Sequence, residues 1–284
     1  MGSVEQRYEA GKELRKQFPR STHGHFQRRA DVDPVELLLG QDEGRIEGLV
    51  PVRHARMSED AFAFYRAGAL LMASDLANSV TTGLMVQASG DAHLSNFGFF
   101  GSPERSLVFD ANDFDETLPA SFEWDVKRLA TSFTIAARDN GFDADEQGKV
   151  TLHCVREYRD AMAQFASLGL LDVWYAHFSR DRLVANLRAS GKDKRAKNLE
   201  RHVDKARRKD SRHALGKLAE KVDGGYRLRN DPPWLVPVRS MGHLYPPNKI
   251  HALIESQYGS YIDTLPDNVA HLAKRYRYVD AALK

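Results

Sequence analysis

Apolar residues recur at helical spacing through Phe62, Tyr65, Ala69, Met72 and Leu76, so one face of this stretch is built to be buried. Ser58 as N-cap, Glu59 and Asp60 in the first turn and Asn78 near the stop bound a helix predicted over 58–77. The pattern then changes. Short runs rich in β-formers at 84–88 and 106–109 read as strands, with Gly98, Gly101 and Pro103 marking the turn between them. Helical periodicity returns over 122–140, where Val126, Leu129, Phe133 and Ala137 share a side and Gly141 follows as a C-cap. Asp143 and Glu146 form a capping box that opens a helix running through Val150, Cys154, Tyr158, Met162 and Phe165 to Gly169, with a further helical piece over 170–178. Farther on, 222–228 reads as a hairpin turn into a strand, 231–237 as an extended segment and 248–258 and 267–278 as two short helices. The expected fold class is α+β, mostly helical, with short strands.

Composition narrows the setting. A chain of 284 residues, 42% of them hydrophobic, can bury a real core. The net charge of +2 selects no class of partner. The single cysteine, Cys154, excludes an internal disulfide framework and suits a reducing cytoplasm. The polar start and the lack of any run near the roughly 18 apolar residues of a membrane span point to a soluble cytoplasmic protein with no membrane contact. Residues 1–30 are rich in charge and read as a basic arm, able to carry a short helix, ahead of a domain over 31–284; the loops at 223–248 come nearest to an internal boundary. The stretch 188–221 holds 13 basic and 5 acidic residues, a balance of +8, against −6 for the remainder. It has no aromatic residue for base stacking, and Leu199, Glu200, Val203, Asp204, Leu215 and Leu218 interrupt it at helix-like spacing, so a solvated helix is preferred to a nucleic-acid contact. Attraction of an anionic substrate or of another protein's acidic face is the intermediate reading.

The candidate chemistry lies at the ends of the two predicted strands. Ser89-Gly90-Asp91-Ala92-His93-Leu94-Ser95-Asn96-Phe97 follows the first, and Asp110-Ala111-Asn112-Asp113-Phe114-Asp115-Glu116 the second. Neighbouring strands would hold Asp91, Asn96, Asp110, Asp113 and Asp115 close together. Crowded carboxylates repel, which raises their pKa values or recruits a cation, and a hard divalent ion such as Mg²⁺ takes one or two carboxylates and completes its shell with water and phosphate. Asp and Asn also favour turns on local hydrogen-bonding grounds, and Asp91 would equally serve as a turn or N-cap residue after Gly90.

The pattern G-D-x-H-x-x-N-F followed by N-D-F-D-E resembles the site of aminoglycoside and choline kinases, and Trp124-Asp125-Val126-Lys127-Arg128-Leu129-Ala130 is similar to the helix that follows it there. The resemblance implies Asp91 as general base, Asn96, five positions on, and Asp113 as metal ligands, and Asp125 as an anchor of the catalytic loop. Gly90 and Asp115 support them. His93 would hold the loop by hydrogen bonds rather than ligate metal, and Asp110 would be a partner of the ligands or the ligand in place of Asp113.

Taken with Leu49-Val50-Pro51-Val52-Arg53, Phe62-Ala63-Phe64-Tyr65-Arg66-Ala67-Gly68 and Ser102-Pro103-Glu104-Arg105, these segments resemble a bacterial family of unknown function, family 2252, over nearly the whole chain. That family is grouped with kinase-like folds. The resemblance implies a kinase-like large lobe, Mg²⁺ and ATP as cofactors, and transfer of a phosphoryl group to a hydroxyl of a small molecule or protein. Members of the family run on into a Gly-rich, strand-forming segment with a Lys. Here Gly224-Gly225 is the only glycine pair, and it sits in a hairpin turn, so the nucleotide lobe is expected to be missing or incomplete and a second polypeptide becomes a candidate to supply it. Two alternatives stand beside this one. A kinase-like scaffold would act by binding alone; a phosphoester hydrolase would use metals held by Asp91, His93, Asp110 and Asp113.

Overall fold

The computed structural model describes residues 3–26, 28–102, 107–207, 211–242 and 246–283. Pro103, Glu104, Arg105 and Ser106 of the expected turn and strand lie outside the described residues, as do the side chains of 202–212 in the basic stretch. The chain divides into two units, Met1–Lys192 and Asp193–Lys284.

The first unit opens with α1 (Val4–Gln17), capped by Ser3 and Gln6 in a reciprocal box and burying no residue. Helix α2 (Pro34–Gly40) starts at Asp33, whose carboxylate accepts from the N–H groups of Val35 and Glu36. After α3 (Val50–Met57), the single helix expected over 58–77 is instead two, α4 (Ala61–Arg66) and α5 (Ala69–Leu76). Asp60, not Ser58, is the N-cap, with its side chain 2.6 Å from the Ala63 nitrogen. Gly68 caps α5, and the Gly68 N–H turns back to the Tyr65 carbonyl. At the break the Tyr65 carbonyl, already taking the Gly68 N–H, and the Arg66 carbonyl also accept from a side chain that belongs to the site.

Four short strands follow: β1 (Met85–Ala88), β2 (Phe97–Gly101), β3 (Leu107–Ala111) and β4 (Leu118–Ser121). Their pairing is nested. β1 pairs antiparallel with β4 from Met85↔Ser121 to Ala88↔Leu118, and β2 with β3 from Phe97↔Ala111 to Gly101↔Leu107. The two strands anticipated from the sequence, β1 and β3, are therefore not neighbours; each pairs with a strand the apolar pattern did not single out. Helix α6 (Phe122–Asp139) runs directly out of β4 and packs on α7 (Ala144–Ala166), where Thr134 and Thr151 share a 2.6 Å hydroxyl contact and the rings of Phe122 and Tyr158 stack at 6.3 Å. The Asp143/Glu146 capping box of α7 is present as read from the sequence. Helix α8 (Leu170–Trp174), β5 (Phe178–Ser179) and α9 (Arg180–Ala189) complete the unit, with β5 on the free edge of β3.

The second unit carries the basic stretch on α10 (Asp193–Arg207) and α11 (Ser211–Leu218), and Lys194, Arg195 and Lys197 are exposed. Strands β6 (Ala219–Val222) and β7 (Gly225–Leu228) form the expected hairpin, its turn made by Asp223 at φ 46° and Gly224 at φ 77°. β8 (Val236–Pro237) pairs with β9 (Ala282–Leu283), between them in sequence α12 (Pro247–Asp263) and α13 (Asp267–Ala273). Asp280 ties the unit together by accepting from the Leu228 N–H at 2.9 Å and from Arg239 at 2.5 Å. Among the described residues no helix is long and apolar enough to cross a membrane.

Candidate functional site

The nested pairing fixes where the candidate residues go. Residues 89–96 join β1 to β2, and residues 112–117 join β3 to β4, so the two connections run side by side, each clamped at both ends by a ladder. At one end the Asn112 N–H donates to the Asn96 carbonyl at 3.0 Å. At the other, Gly90 adopts φ +79° and lies so close to Glu116 that a Cβ there would stand 2.1 Å from the Glu116 carbonyl oxygen. Only glycine satisfies both demands. One connection carries Asp91, His93 and Asn96; the other carries Asp113, Asp115 and Glu116, all three exposed. Asp110 lies within β3 opposite Gly98, with its carboxylate 2.8 Å from the Ala111 nitrogen.

Helix α6 supplies the frame. Its periodicity pointed to an apolar inner face, yet its buried residues include Glu123, Arg128 and Ser132. Each has a partner. The Asp125 carboxylate, in the first turn, accepts from the N–H groups of Ser89 at 2.7 Å and Gly90 at 3.1 Å, which fixes the start of the loop. Ser132, fully buried, accepts from the Leu94 N–H at 3.0 Å and donates to the Leu129 carbonyl at 2.7 Å. Glu123 accepts from the Thr82 N–H and hydroxyl and from the Ser121 hydroxyl. Burial pushes the Glu123 carboxyl up, but these hydrogen bonds outweigh it and hold the group below its ordinary range.

Asp91 is 8% exposed, and both of its oxygens face protein groups. Oδ1 accepts from Arg128 Nε at 2.5 Å and from a terminal nitrogen of the same guanidinium. Oδ2 faces His93 Nε2 at 3.5 Å. His93 Nδ1 accepts from the Ser95 N–H at 3.1 Å, so a neutral imidazole carries its proton on Nε2, toward Asp91. Burial lowers the His93 pKa against the upward pull of Asp91; Arg128 and Arg66 add to the lowering, and Asp113 opposes it. His93 is thus tied within its own loop, to the Ser95 N–H on one side and facing Asp91 on the other. Arg128, at 2% exposed, stood in a motif quoted from the sequence but with no role of its own; its partner lies 37 positions away and no local spacing signals the pair.

The donors available for a hard divalent ion are oxygens. Asn96 is 8% exposed and commits its Nδ2 to the Asp91 carbonyl at 2.8 Å, which turns Oδ1 into the end free to ligate. The Glu116 carboxyl is pushed up by partial removal from water and by the charges of Asp91, Asp113 and Asp115. Mutual repulsion of this kind is what a cation relieves, and one or two carboxylates with an amide oxygen suffice for Mg²⁺, whose remaining positions go to water and phosphate. Among the described residues no group of three or more His, Cys, Asp or Glu side chains is placed to hold a metal, so the oxygen donors these loops offer a cation are the Asn96 amide and the separate carboxylates beside it.

No curated protein and no solved structure matches the chain. A family model, that of DUF2252, an uncharacterized protein conserved in bacteria, matches residues 45–284, a span that takes in the whole nested ribbon, α6 and the second unit. By that match the chain belongs to the DUF2252 family of bacterial proteins.

Proposed function

We propose that the chain is a kinase-like phosphotransferase lobe that moves a phosphoryl group from Mg-ATP to a hydroxyl of a small molecule or protein. One observation supports this above the others: two loops clamped side by side carry an Asp and an Asn five residues apart on one and an Asp-Phe-Asp run on the other, with an Asp from the next helix anchoring the first. Bound Mg-ATP would supply the phosphoryl group and the positive charge that offsets its developing negative charge. Asn96 Oδ1 and Asp113 would hold the ion, with Glu116 beside them. Asp91 would orient the acceptor hydroxyl and take its proton, and Asp125 would keep the loop from shifting. A positioned general base contributes roughly 10²–10⁴-fold in rate.

A second reading has its own observation. Asp91 is paired with a buried arginine, an arrangement that also suits a scaffold which binds nucleotide without transferring from it. Label transfer from γ-labelled ATP to a panel of hydroxyl compounds and basic or hydroxyl-rich proteins separates the two. Transfer by the wild-type chain, reduced at least about 10²-fold in Asp91→Asn, supports the phosphotransferase. Nucleotide binding with no transfer to any acceptor, water included, supports the scaffold.

A further inference from the structure

We infer that Arg128 is a positioning residue that gives the two oxygens of Asp91 different tasks, fixing Oδ1 to the protein and leaving Oδ2, beside the Nε2–H of His93, as the oxygen that receives the acceptor's proton. The inference rests on the phosphotransferase reading and names the device by which a buried Asp remains usable in it.

The guanidinium is itself held on every side. Its Cζ lies over the Tyr65 ring, 4.6 Å from the ring centre; the terminal nitrogen that meets Asp91 Oδ1 also reaches the Tyr65 and Arg66 carbonyls at 3.1 and 3.4 Å, and the other contacts Met72 Sδ at 3.6 Å. The Tyr65 hydroxyl in turn donates to the Arg128 carbonyl at 2.8 Å. Those accepting carbonyls stand at the C-terminal end of α4, where the chain breaks before α5, and the end of a helix presents partial negative charge to a cation. The socket therefore binds Arg128 through α4, α5 and α6 at once, and Asp91 is the anion it holds. Both Arg128 contacts fall on the same oxygen, Oδ1. A bidentate pair would have occupied both oxygens. On the other side, the 3.5 Å between Oδ2 and His93 Nε2 is too long for a good hydrogen bond, so Oδ2 keeps a lone pair to offer. An acceptor oxygen bridging Oδ2 and Nε2 would donate its proton to the first and accept from the second.

The test compares wild type with Arg128→Lys and Arg128→Gln, after circular dichroism shows which variants fold. Steady-state label transfer gives kcat and the KM for ATP, and imidazole NMR gives the His93 titration, a readout that needs no turnover. The groups acting on His93 are Asp91, Arg128, Arg66 and Asp113. In Arg128→Gln the His93 titration should move to higher pH, because one lowering cation is gone while Asp91 stays. kcat should fall at least about 10-fold with KM for ATP within about twofold, and Arg128→Lys, which keeps the charge on one donor, should recover part of kcat. Should Arg128→Gln fail to fold, Arg128→Lys alone must still lower kcat with KM for ATP retained. An active wild type whose folded variants keep kcat and the His93 titration overturns the positioning role and leaves the phosphotransferase standing. A wild type that transfers to nothing, with the His93 shift still seen in Arg128→Gln, overturns the phosphotransferase reading, and the role of Arg128 in it falls too.

Discussion

An alanine at Gly90 meets two obstacles, and an alanine at Gly141 meets one. Both positions have positive φ, +79° and +78°, but a Cβ at 90 runs into the Glu116 carbonyl whereas a Cβ at 141 has nothing within 4 Å. Strain alone is expected to lower stability by about 1 kcal/mol at 141. At 90 the collision must also part the two loops, so the loss should exceed that of Gly141→Ala by about 1–3 kcal/mol, since the ladder contacts on either side give way as well. Urea midpoints of the two variants decide it, and equal losses would mean that the loops are not pressed together at Gly90. The sequence made both glycines visible, Gly90 inside a motif and Gly141 as a stop signal after a periodic run. What it could not show is that they differ, because the atom Gly90 must avoid is 26 positions away, across a strand pair. Arg128 was hidden for the same reason. Its ordinary place in a helix gives no sign of a buried anion waiting on a loop.

At the scale of elements, signals that act within one turn were legible. Asp143 and Glu146 announced α7 correctly, since each satisfies a backbone donor of the same helix start. The same kind of signal, weighed wrongly, merged α4 with α5: Asp60 caps more directly than Ser58, and Gly68 carries the break that the apolar periodicity runs straight through. The nested ribbon was legible only in part, because Gly98 and Gly101 within β2 read as turn residues, β4 contains Pro119, and the partners of both are set by pairing rather than by pattern. Helix α6 shows the reverse effect. Its polar residues go inside because the loops above it offer donors and acceptors, and this makes a pH prediction. The folded pKa of Glu123 lies below its unfolded value, so its contribution is fully present above the usual carboxylate range and is lost as pH falls through the folded value. Glu123→Gln should be less stable than wild type by about 2 kcal/mol at neutral pH, as charged hydrogen bonds are lost. That gap should close in acid, below about pH 4, as the wild-type carboxyl takes up its proton. A gap that stays constant in denaturant titrations at both pH values would show that Glu123 acts by shape and not by charge.

Across the whole molecule, the family match spans both units, while every residue of the candidate site belongs to the first. The α+β class and the helical weight of the chain were readable from periodicity over many positions. The division after Lys192 was not, since it falls between two helices of similar character, with the Pro-marked loops lying well inside the second unit. The central claim concerns the site as a place for Mg-nucleotide, and calorimetric titration of Mg-ATP into the 284-residue chain, with Asp113→Asn beside it, tests that claim most directly. Expected is saturable heat that requires Mg²⁺ and weakens about 10-fold or more in the variant, a loss of about 1.4 kcal/mol or more in binding free energy. No heat at millimolar nucleotide from a folded chain, or binding indifferent both to Mg²⁺ and to Asp113, would contradict it.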